Sequence, residues 1–319
     1  MPRIVYYGFP TGRIQGGMKM ILRHVETLRD LGFDAVFATT PEAVMPEWLD
    51  HRAPVHRAFP VLRGDILVIP EDASNALGQA MRRDPSRTVV FTQNQYIFSA
   101  FAVEALAAFA ETPRFMAVGR ILAGVVGRAF PTAEVELVPC FADERLFGPA
   151  SERTPAIAYV PKKRALEPKV ISAYFKRLYP RHAGRPWREV ADLREPEVAG
   201  VLAASEIYLS LSRFESVGMA TLEAMASGCV CAGFTGIGGR EYATAANGFW
   251  VPEDDCEAAV DALARAADLV LTGGPPLARY REAAQATARQ WSYARFREAL
   301  EETWMRLAPE VRIKDGPLD

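Results

Sequence analysis

Cysteine, net charge and long apolar runs are all scarce in this sequence, and each scarcity excludes a class of protein. The 319 residues include only four cysteines, irregularly spaced, which argues against a disulfide framework or a zinc site. The net charge is -2, so no general attraction to nucleic acid or anionic lipid is expected. No segment approaches the uninterrupted apolar length of a membrane span. We therefore predict a cytoplasmic protein without a nucleic-acid partner. Peripheral membrane contact and the oligomeric state stay open.

The pattern of strands and helices predicts an α/β chain with two domains. Half of the residues are hydrophobic, and a chain of this length suits two domains of about 150 residues each. In the first half, helical patterns separate apolar strand patterns, which is typical of a parallel sheet covered on both faces. Strands are predicted at residues 3–7, 34–38, 65–69, 88–91, 114–118 and 135–138. A polar segment between Pro149 and Pro155 predicts a linker, so the first domain is placed at residues 1–150.

Two loops of the first domain follow predicted strands and have compositions that suit ligands. The first is rich in glycine and ends at Gly16 and Gly17, before a helix predicted from about Met18 to Leu31. Glycines and the amino end of a helix together favour the binding of an anion, because backbone N–H groups can approach it closely. Most loops of this kind nevertheless bind no ligand. The second carries Gln93 and Asn94, whose amides suit sugar hydroxyls. A merely polar loop explains these amides equally well.

A run of cations opens the second domain. The predicted strand at residues 156–160 leads directly into Pro161, Lys162, Lys163 and Arg164, and Lys169 follows at the start of a helix. Cations at the carboxyl end of a parallel strand, near a helix amino terminus, suit a diphosphate. The alternative is an ordinary solvated loop.

The most informative stretch lies between Ser212 and Val230, where two carboxylates flank a tight turn. A strand predicted at residues 206–212 leads into a loop with Glu215 and the turn residue Gly218, and a helix at 220–226 carries Glu223. Seven residues separate the two glutamates, so both can face one ligand and accept hydrogen bonds from vicinal hydroxyl groups. Without further context, two surface acids would be the simpler interpretation.

The stretch from Ser212 to Val230 resembles the E-x7-E signature of retaining, nucleotide-sugar-dependent glycosyltransferases with the GT-B fold, in particular glycosyltransferase family 4. Other segments resemble the same family in the same order along the chain. They are Gly16-Gly17, Val138 to Asp143 with Phe147, Gly238 to Glu241, Asn247-Gly248 and Trp291 to Tyr293.

The resemblance implies two Rossmann-like domains with parallel sheets that face a central cleft. Residues 1–150 would form the acceptor side and residues 151–290 the side of the nucleotide-sugar donor. A C-terminal helix within residues 291–319 would cross back to the first domain. Neither a metal nor another cofactor would be needed, and the absence of an Asp-x-Asp motif agrees with that expectation.

The resemblance also implies roles for individual residues. Glu215 would bind hydroxyls of the donor sugar and Glu223 those of the ribose, and backbone N–H groups near Val217 and Gly218 would meet the diphosphate. We assign catalysis to Glu215, Lys163 and Lys162. The remaining predicted substrate-binding residues are Gly16, Gly17, Gln93, Asn94, Arg164, Lys169, Phe214 and Ser216, together with Val217, Gly218 and Glu223.

Two departures from the family pattern leave details open. The family's Arg and Lys are replaced by the run from Lys162 to Arg164, with Lys169 beyond it, so the sequence does not say which two cations hold the diphosphate. The family often has a His in the first domain, and this sequence has no match for it. The nearest loop carries the side-chain amides of Gln93, Asn94 and Gln95. Two alternatives remain beside a transferase: a non-catalytic subunit that binds a nucleotide sugar or a partner, and a sugar-nucleotide epimerase on the same fold.

Overall fold

The chain divides into two units in the computed structural model, which describes residues 2–58 and 61–312. The first unit contains residues up to Cys140 and those from Phe296 onward, and the second runs from Phe141 to Arg295. The segment that we predicted as a linker lies inside the second unit. Its Arg153 donates hydrogen bonds to the carbonyl groups of Ser205 and Gly228, which ties this segment to the second sheet.

The first unit is built on a seven-stranded parallel sheet with the order β3-β2-β1-β4-β5-β6-β7. Its strands are β1 (Ile4–Tyr7), β2 (Ala35–Thr39), β3 (Val55–Arg57), β4 (Ile66–Pro70), β5 (Thr88–Thr92), β6 (Arg114–Ala117) and β7 (Val135–Leu137). β2, β4 and β5 are buried at every position, as expected for strands covered on both faces. The edge strand β3 was not predicted, because its three residues are partly or fully exposed and carry little apolar pattern.

Helices connect these strands and cover the sheet. They are α1 (Gly16–Asp30), α2 (Ser74–Arg83), α3 (Gln95–Ile97), α4 (Val103–Ala107) and α5 (Arg120–Ala129), with a π turn at Phe98–Ala102 between α3 and α4. We predicted one helix from residue 99 onward in that region. The helical segment starts four residues earlier because the side chain of Asn94 accepts hydrogen bonds from the amides of Tyr96 and Ile97, at 3.0 and 3.3 Å.

A buried aromatic cluster joins the last helix to the core of the first unit. The ring of Tyr6 lies 6.3 Å from that of Trp304, and the ring of His24 lies 4.9 Å from that of Phe296. Burial lowers the pKa of His24 to about 3, so its imidazole is neutral and serves as a core side chain.

The second unit contains a five-stranded parallel sheet with the order β12-β11-β10-β8-β9. Its strands are β8 (Thr154–Tyr159), β9 (Trp187–Glu189), β10 (Ser205–Leu211), β11 (Val230–Phe234) and β12 (Gly248–Val251). Its helices are α6 (Glu167–Leu178), α7 (Glu195–Ala204), α8 (Met219–Ala226), α9 (Cys256–Thr272) and α10 (Gly274–Gln290), and α11 (Tyr293–Leu307) begins in this unit and continues into the first. Strand β9 was not predicted, because it is a short edge strand with two exposed residues.

Gly228 ends α8 as predicted. Its φ is +74°, and its amide donates to the carbonyl of Met225 at 3.0 Å. No helix in the described part of the chain is long and apolar enough to cross a bilayer.

Candidate active site

The segments that follow β8, β10, β11 and β12 lie at one edge of the second sheet. All strands of this sheet are parallel, so their carboxyl ends meet at the same edge, where open α/β folds bind ligands. These segments contain Lys162 to Arg164 after β8, Phe214 to Gly218 after β10, Gly236 to Glu241 after β11 and Glu253 with Asp254 after β12. The cations and the signature loop, fifty residues apart in the sequence, therefore belong to one site.

The loop before α8 is held in place by close packing. Gly218 has a φ of +84°, which favours glycine, and its carbonyl accepts a hydrogen bond from the Tyr242 hydroxyl at 3.2 Å. Gly238 is packed so tightly against the loop that an added Cβ would lie 2.0 Å from the carbonyl oxygen of Ser216. Ser216 and Val217 are buried. The amino end of α8 is thus fixed before any ligand arrives.

Lys163 and Glu215 form an ion pair across this site. The Lys163 Nζ lies 2.7 Å from Glu215 Oε1 and also donates to the carbonyl oxygen of Phe214 at 3.0 Å. Both side chains keep about a third of their surface exposed, so the pair is open to solvent and to a ligand. The structure therefore brings together a predicted cation and a predicted carboxylate at the mouth of the site.

Lys162 and Phe214 flank this ion pair. Lys162 is exposed overall, yet desolvation by the surrounding protein lowers its pKa, while the nearby Glu215 carboxylate acts in the opposite direction. Phe214 is half exposed and has a φ of +53°, which is unfavourable for a residue with a Cβ.

Arg164 lies beneath the site and is almost completely buried, with 1% of its surface exposed. Its guanidinium contacts three carboxylates, at 2.7 Å for Glu253, at 3.4 Å for Glu167 and at a shorter distance for Asp254. It also donates to the carbonyl oxygen of Ser212 at 3.3 Å. Through these contacts Arg164 fastens the ends of β8, β10 and β12 to one another, and its predicted contact with substrate stays a prediction. Glu253 extends the network by accepting from the amide of Gly236 at 2.8 Å.

The two remaining predicted residues of this unit occupy different environments. Glu223 lies on α8 and is buried, with 7% of its surface exposed. Its charge is one of the groups that raise the pKa of the buried Tyr208, after the main effect of desolvation. Lys169 is exposed in the first turn of α6.

The predicted residues of the first unit also meet at the carboxyl edge of their sheet. Gly17 is in the first turn of α1, and a Cβ added to it would lie 3.2 Å from Nε2 of Gln93. Gly16 begins the same helix, and Asn94 follows β5. The buried carboxylate of Glu71 accepts hydrogen bonds from the amides of Gln93 and Asn94 at 2.9 and 2.7 Å.

Glu71 was missed by the sequence analysis. Burial raises its pKa to about 7. The signal that could have revealed it is an acidic residue directly after the apolar strand Ile66–Pro70. Among the described residues, no group of three or more His, Cys, Asp or Glu side chains is arranged to hold a metal ion.

Two sequence comparisons find similar proteins. Residues 180–299 match the family model "Glycosyl transferases group 1". An alpha-1,6-glucosyltransferase of Actinobacillus pleuropneumoniae serotype 7 (strain AP76) is 25% identical over 274 residues, which is 79% of each chain.

Solved structures show the same fold. Sucrose-phosphate synthase from Thermosynechococcus elongatus superposes with a TM-score of 0.70 at 14% identity, over 96% of this chain and 99% of that one. Anabaena Alr3699/HepE in complex with UDP gives 0.68 at 13% identity, over 95% and 100%, and its complex with UDP-glucose gives 0.67 at 14%, over 96% and 100%. The fold is GT-B, as predicted.

The matched domain and the relative further indicate that the chain is an enzyme, a glycosyltransferase. Neither the non-catalytic subunit nor the epimerase is favoured by these matches.

Proposed function

We propose that this enzyme transfers a glucosyl group from UDP-glucose to a hydroxyl group of a glycan, a lipid-linked glycan or a small molecule, with retention of the anomeric configuration and without a metal ion. The second unit would bind the donor and the first unit the acceptor. The glucosyltransferase relative supports the choice of sugar, and the neighbours solved with UDP and UDP-glucose support the choice of nucleotide.

The observation that carries the proposal is the ion pair of Lys163 and Glu215 beside the amino end of α8. A diphosphate needs cations and N–H donors, and a sugar needs acceptors for its hydroxyl groups. This edge of the sheet offers both kinds of group within 2.7 Å of each other. On donor binding, Lys163 would turn from the carboxylate to a phosphate oxygen, and Glu215 would accept from the sugar hydroxyls.

Catalysis then rests on stabilising the leaving group. The bond between the anomeric carbon and the diphosphate breaks through a transition state with oxocarbenium character, and negative charge grows on the phosphate. Lys163 and the N–H groups of Val217 and Gly218 would stabilise that charge. Each such donor is worth about 3 kcal/mol in a site that excludes water. Lys162 would add a second cation whose lowered pKa reflects the cost of its desolvation.

Retention and metal independence follow from the resemblance of the signature loop to the retaining family. We infer that the fixed cations take the part that a metal ion plays in other transferases. The low cysteine content suits a cytoplasmic location, where nucleotide sugars would be met under reducing conditions.

The decisive experiment measures binding and turnover with a panel of UDP-, GDP-, ADP- and dTDP-sugars. Isothermal calorimetry should give the tightest binding for UDP-glucose, and binding should weaken in Glu215→Ala and Lys163→Ala. Product formation should be unaffected by EDTA, and NMR of the product should show the α-anomer. An inverted product would refute the assigned stereochemistry. Release of an isomerised donor without an acceptor would instead favour the epimerase, and a protein that binds UDP-glucose without turnover would favour the non-catalytic subunit.

A further inference from the structure

The carboxylate of Glu71 is costly to bury, and the donor site makes no use of it. The residue directly follows β4 and is 4% exposed. No cation pairs with its carboxylate among the described residues, and the neighbouring carboxylate of Asp72 disfavours its charge further. A buried carboxylate without a cationic partner costs several kcal/mol unless hydrogen bonds compensate. Its hydrogen-bond partners therefore indicate its purpose.

Beside the amide of Glu71 itself, those partners are two successive backbone amides. A single oxygen, Oε1, accepts from the amides of Gln93 and Asn94 at 2.9 and 2.7 Å. The side chain of Asn94 in turn caps the helical turn that follows. The short connection after β5 is therefore fixed on both sides, by Glu71 before it and by the cap after it.

The fixed connection places the Gln93 carboxamide at the amino end of α1. The distance from an added Gly17 Cβ to Gln93 Nε2 would be 3.2 Å, so the amide packs directly on the first turn of the helix. The first N–H groups of a helix have no acceptor within it. A carboxamide beside such groups offers both a donor and an acceptor, which is the complement of a hydroxyl group.

We propose that Glu71 is a positioning residue: it holds the backbone of Gln93 and Asn94, and so fixes the Gln93 carboxamide beside Gly17 as a subsite for a sugar hydroxyl of the acceptor. The inference rests on the proposed function, because it assigns the acceptor to the first unit. It adds the residue that builds the subsite, and it makes Gln93 the group that touches the substrate.

Four variants distinguish a role of Glu71 in positioning Gln93 from a general contribution of Glu71 to the stability of the fold. Glu71→Ala removes the acceptor oxygen, whereas Glu71→Gln keeps an oxygen that can accept from both amides. Gln93→Ala removes the carboxamide but leaves the backbone bonds intact. Glu104→Ala, an exposed glutamate on α4, is the matched control.

Three readouts are needed: UDP release from UDP-glucose in water, transfer to methyl α-glucoside as the acceptor probe, and hydrogen exchange of the amides at 93 and 94. Glu71→Ala should raise the KM for methyl α-glucoside about tenfold, the loss of one hydrogen bond, and should leave hydrolysis in water unchanged. Its two amides should lose protection. Gln93→Ala should share the rise in KM but keep the protection, and both Glu71→Gln and the control should resemble the wild type.

Several results would overturn the inference. One is a KM for methyl α-glucoside in Glu71→Ala that equals that of the wild type. Another is an equal fall of hydrolysis and transfer in that variant. A third is a Glu71→Gln variant that behaves like Glu71→Ala. No transfer to methyl α-glucoside by a wild type that hydrolyses UDP-glucose would also count against the subsite. If the wild type neither binds nor hydrolyses UDP-glucose, the proposed function fails instead, and hydrogen exchange still decides whether Glu71 holds the connection.

Discussion

Lys163 and Arg164 are neighbours in the sequence, yet the structure predicts opposite consequences for their removal. Lys163 is at the mouth of the site and pairs with one carboxylate that is itself exposed. Arg164 is buried and fastens three strand ends. Replacing Lys163 by an uncharged side chain should mainly weaken ligand binding, and replacing Arg164 in the same way should mainly lower the stability of the fold.

For Lys163→Ala we expect a large loss of donor affinity and a small loss of stability. The pair with Glu215 is exposed by about a third on both sides, and such pairs contribute at most about 1 kcal/mol to the free energy of unfolding. A hydrogen bond from a cation to a phosphate is worth about 1.5–3 kcal/mol. The Kd for UDP should therefore rise about 10- to 100-fold.

For Arg164→Met we expect the reverse. Breaking a buried ion pair costs about 3–5 kcal/mol, because charges remain without a partner. The side chains of Glu167, Glu253 and Asp254 are 19%, 30% and 62% exposed, so water can hydrate them and the lower end of that range applies. The free energy of unfolding should fall by about 3 kcal/mol, and the Kd for UDP measured on folded protein should change less than in Lys163→Ala.

The assay combines urea unfolding, followed by tryptophan fluorescence, with calorimetric titration of UDP. Lys176→Ala, an exposed lysine on α6, is the control for the loss of a positive charge and should match the wild type in both measurements. If Arg164→Met weakens UDP binding as strongly as Lys163→Ala and leaves unfolding unchanged, then Arg164 contacts the ligand and our account of the buried network is wrong.

Three further variants test other parts of the structure. Gly238→Ala should lose about 1–3 kcal/mol of stability and much of its UDP affinity, by urea unfolding and calorimetry, because the new Cβ would collide with the backbone of Ser216. Phe214→Gly should be about 1 kcal/mol more stable than Phe214→Ala in the same unfolding assay, since only glycine adopts a φ of +53° without strain; equal stability would contradict this. Glu71→Gln should gain stability relative to the wild type as the pH rises. In the folded protein the pKa of Glu71 is raised from 4.5 to about 7, so on a rise in pH the carboxyl group ionises in the unfolded chain first. The free energy of unfolding of the wild type therefore falls by about 3 kcal/mol between those two pH values. Glu71→Gln has no ionisable group at this position and does not show that fall. A difference in unfolding free energy that is constant from pH 4 to pH 8 would refute the raised pKa.

The buried strands and the turn of the signature loop could be predicted because local chemistry determines them. β10 and β11 are buried at all but one position, and Gly218 and Gly228 have the positive φ angles that turns and helix ends require. The parallel order of the sheet then brings the cations after β8 to the loop after β10. The pairing of Lys163 with Glu215 was thus within reach of the sequence.

The edge strands β3 and β9 and the burial of Arg164 could not be predicted, because they depend on tertiary contacts. β3 and β9 have three residues each, and their pairing with the neighbouring strand, rather than their own pattern, makes them strands. Arg164 lies in a run of three cations that look equivalent. Glu253 and Asp254, about ninety residues later, draw its guanidinium into the interior.

The same physical principle explains why both units keep a buried charged side chain at the carboxyl edge of their sheet. A loop at the end of a parallel strand has backbone groups that the sheet does not satisfy, and a buried side chain with several hydrogen-bonding groups can fix two such loops at once. In the second unit Arg164 holds the carbonyl of Ser212, while Glu253 holds the amide of Gly236. In the first unit Glu71 alone holds two amides after β5. In our proposal the partly exposed side chains of Lys163, Glu215 and Gln93 contact the ligands, because the buried groups already hold the backbone in position.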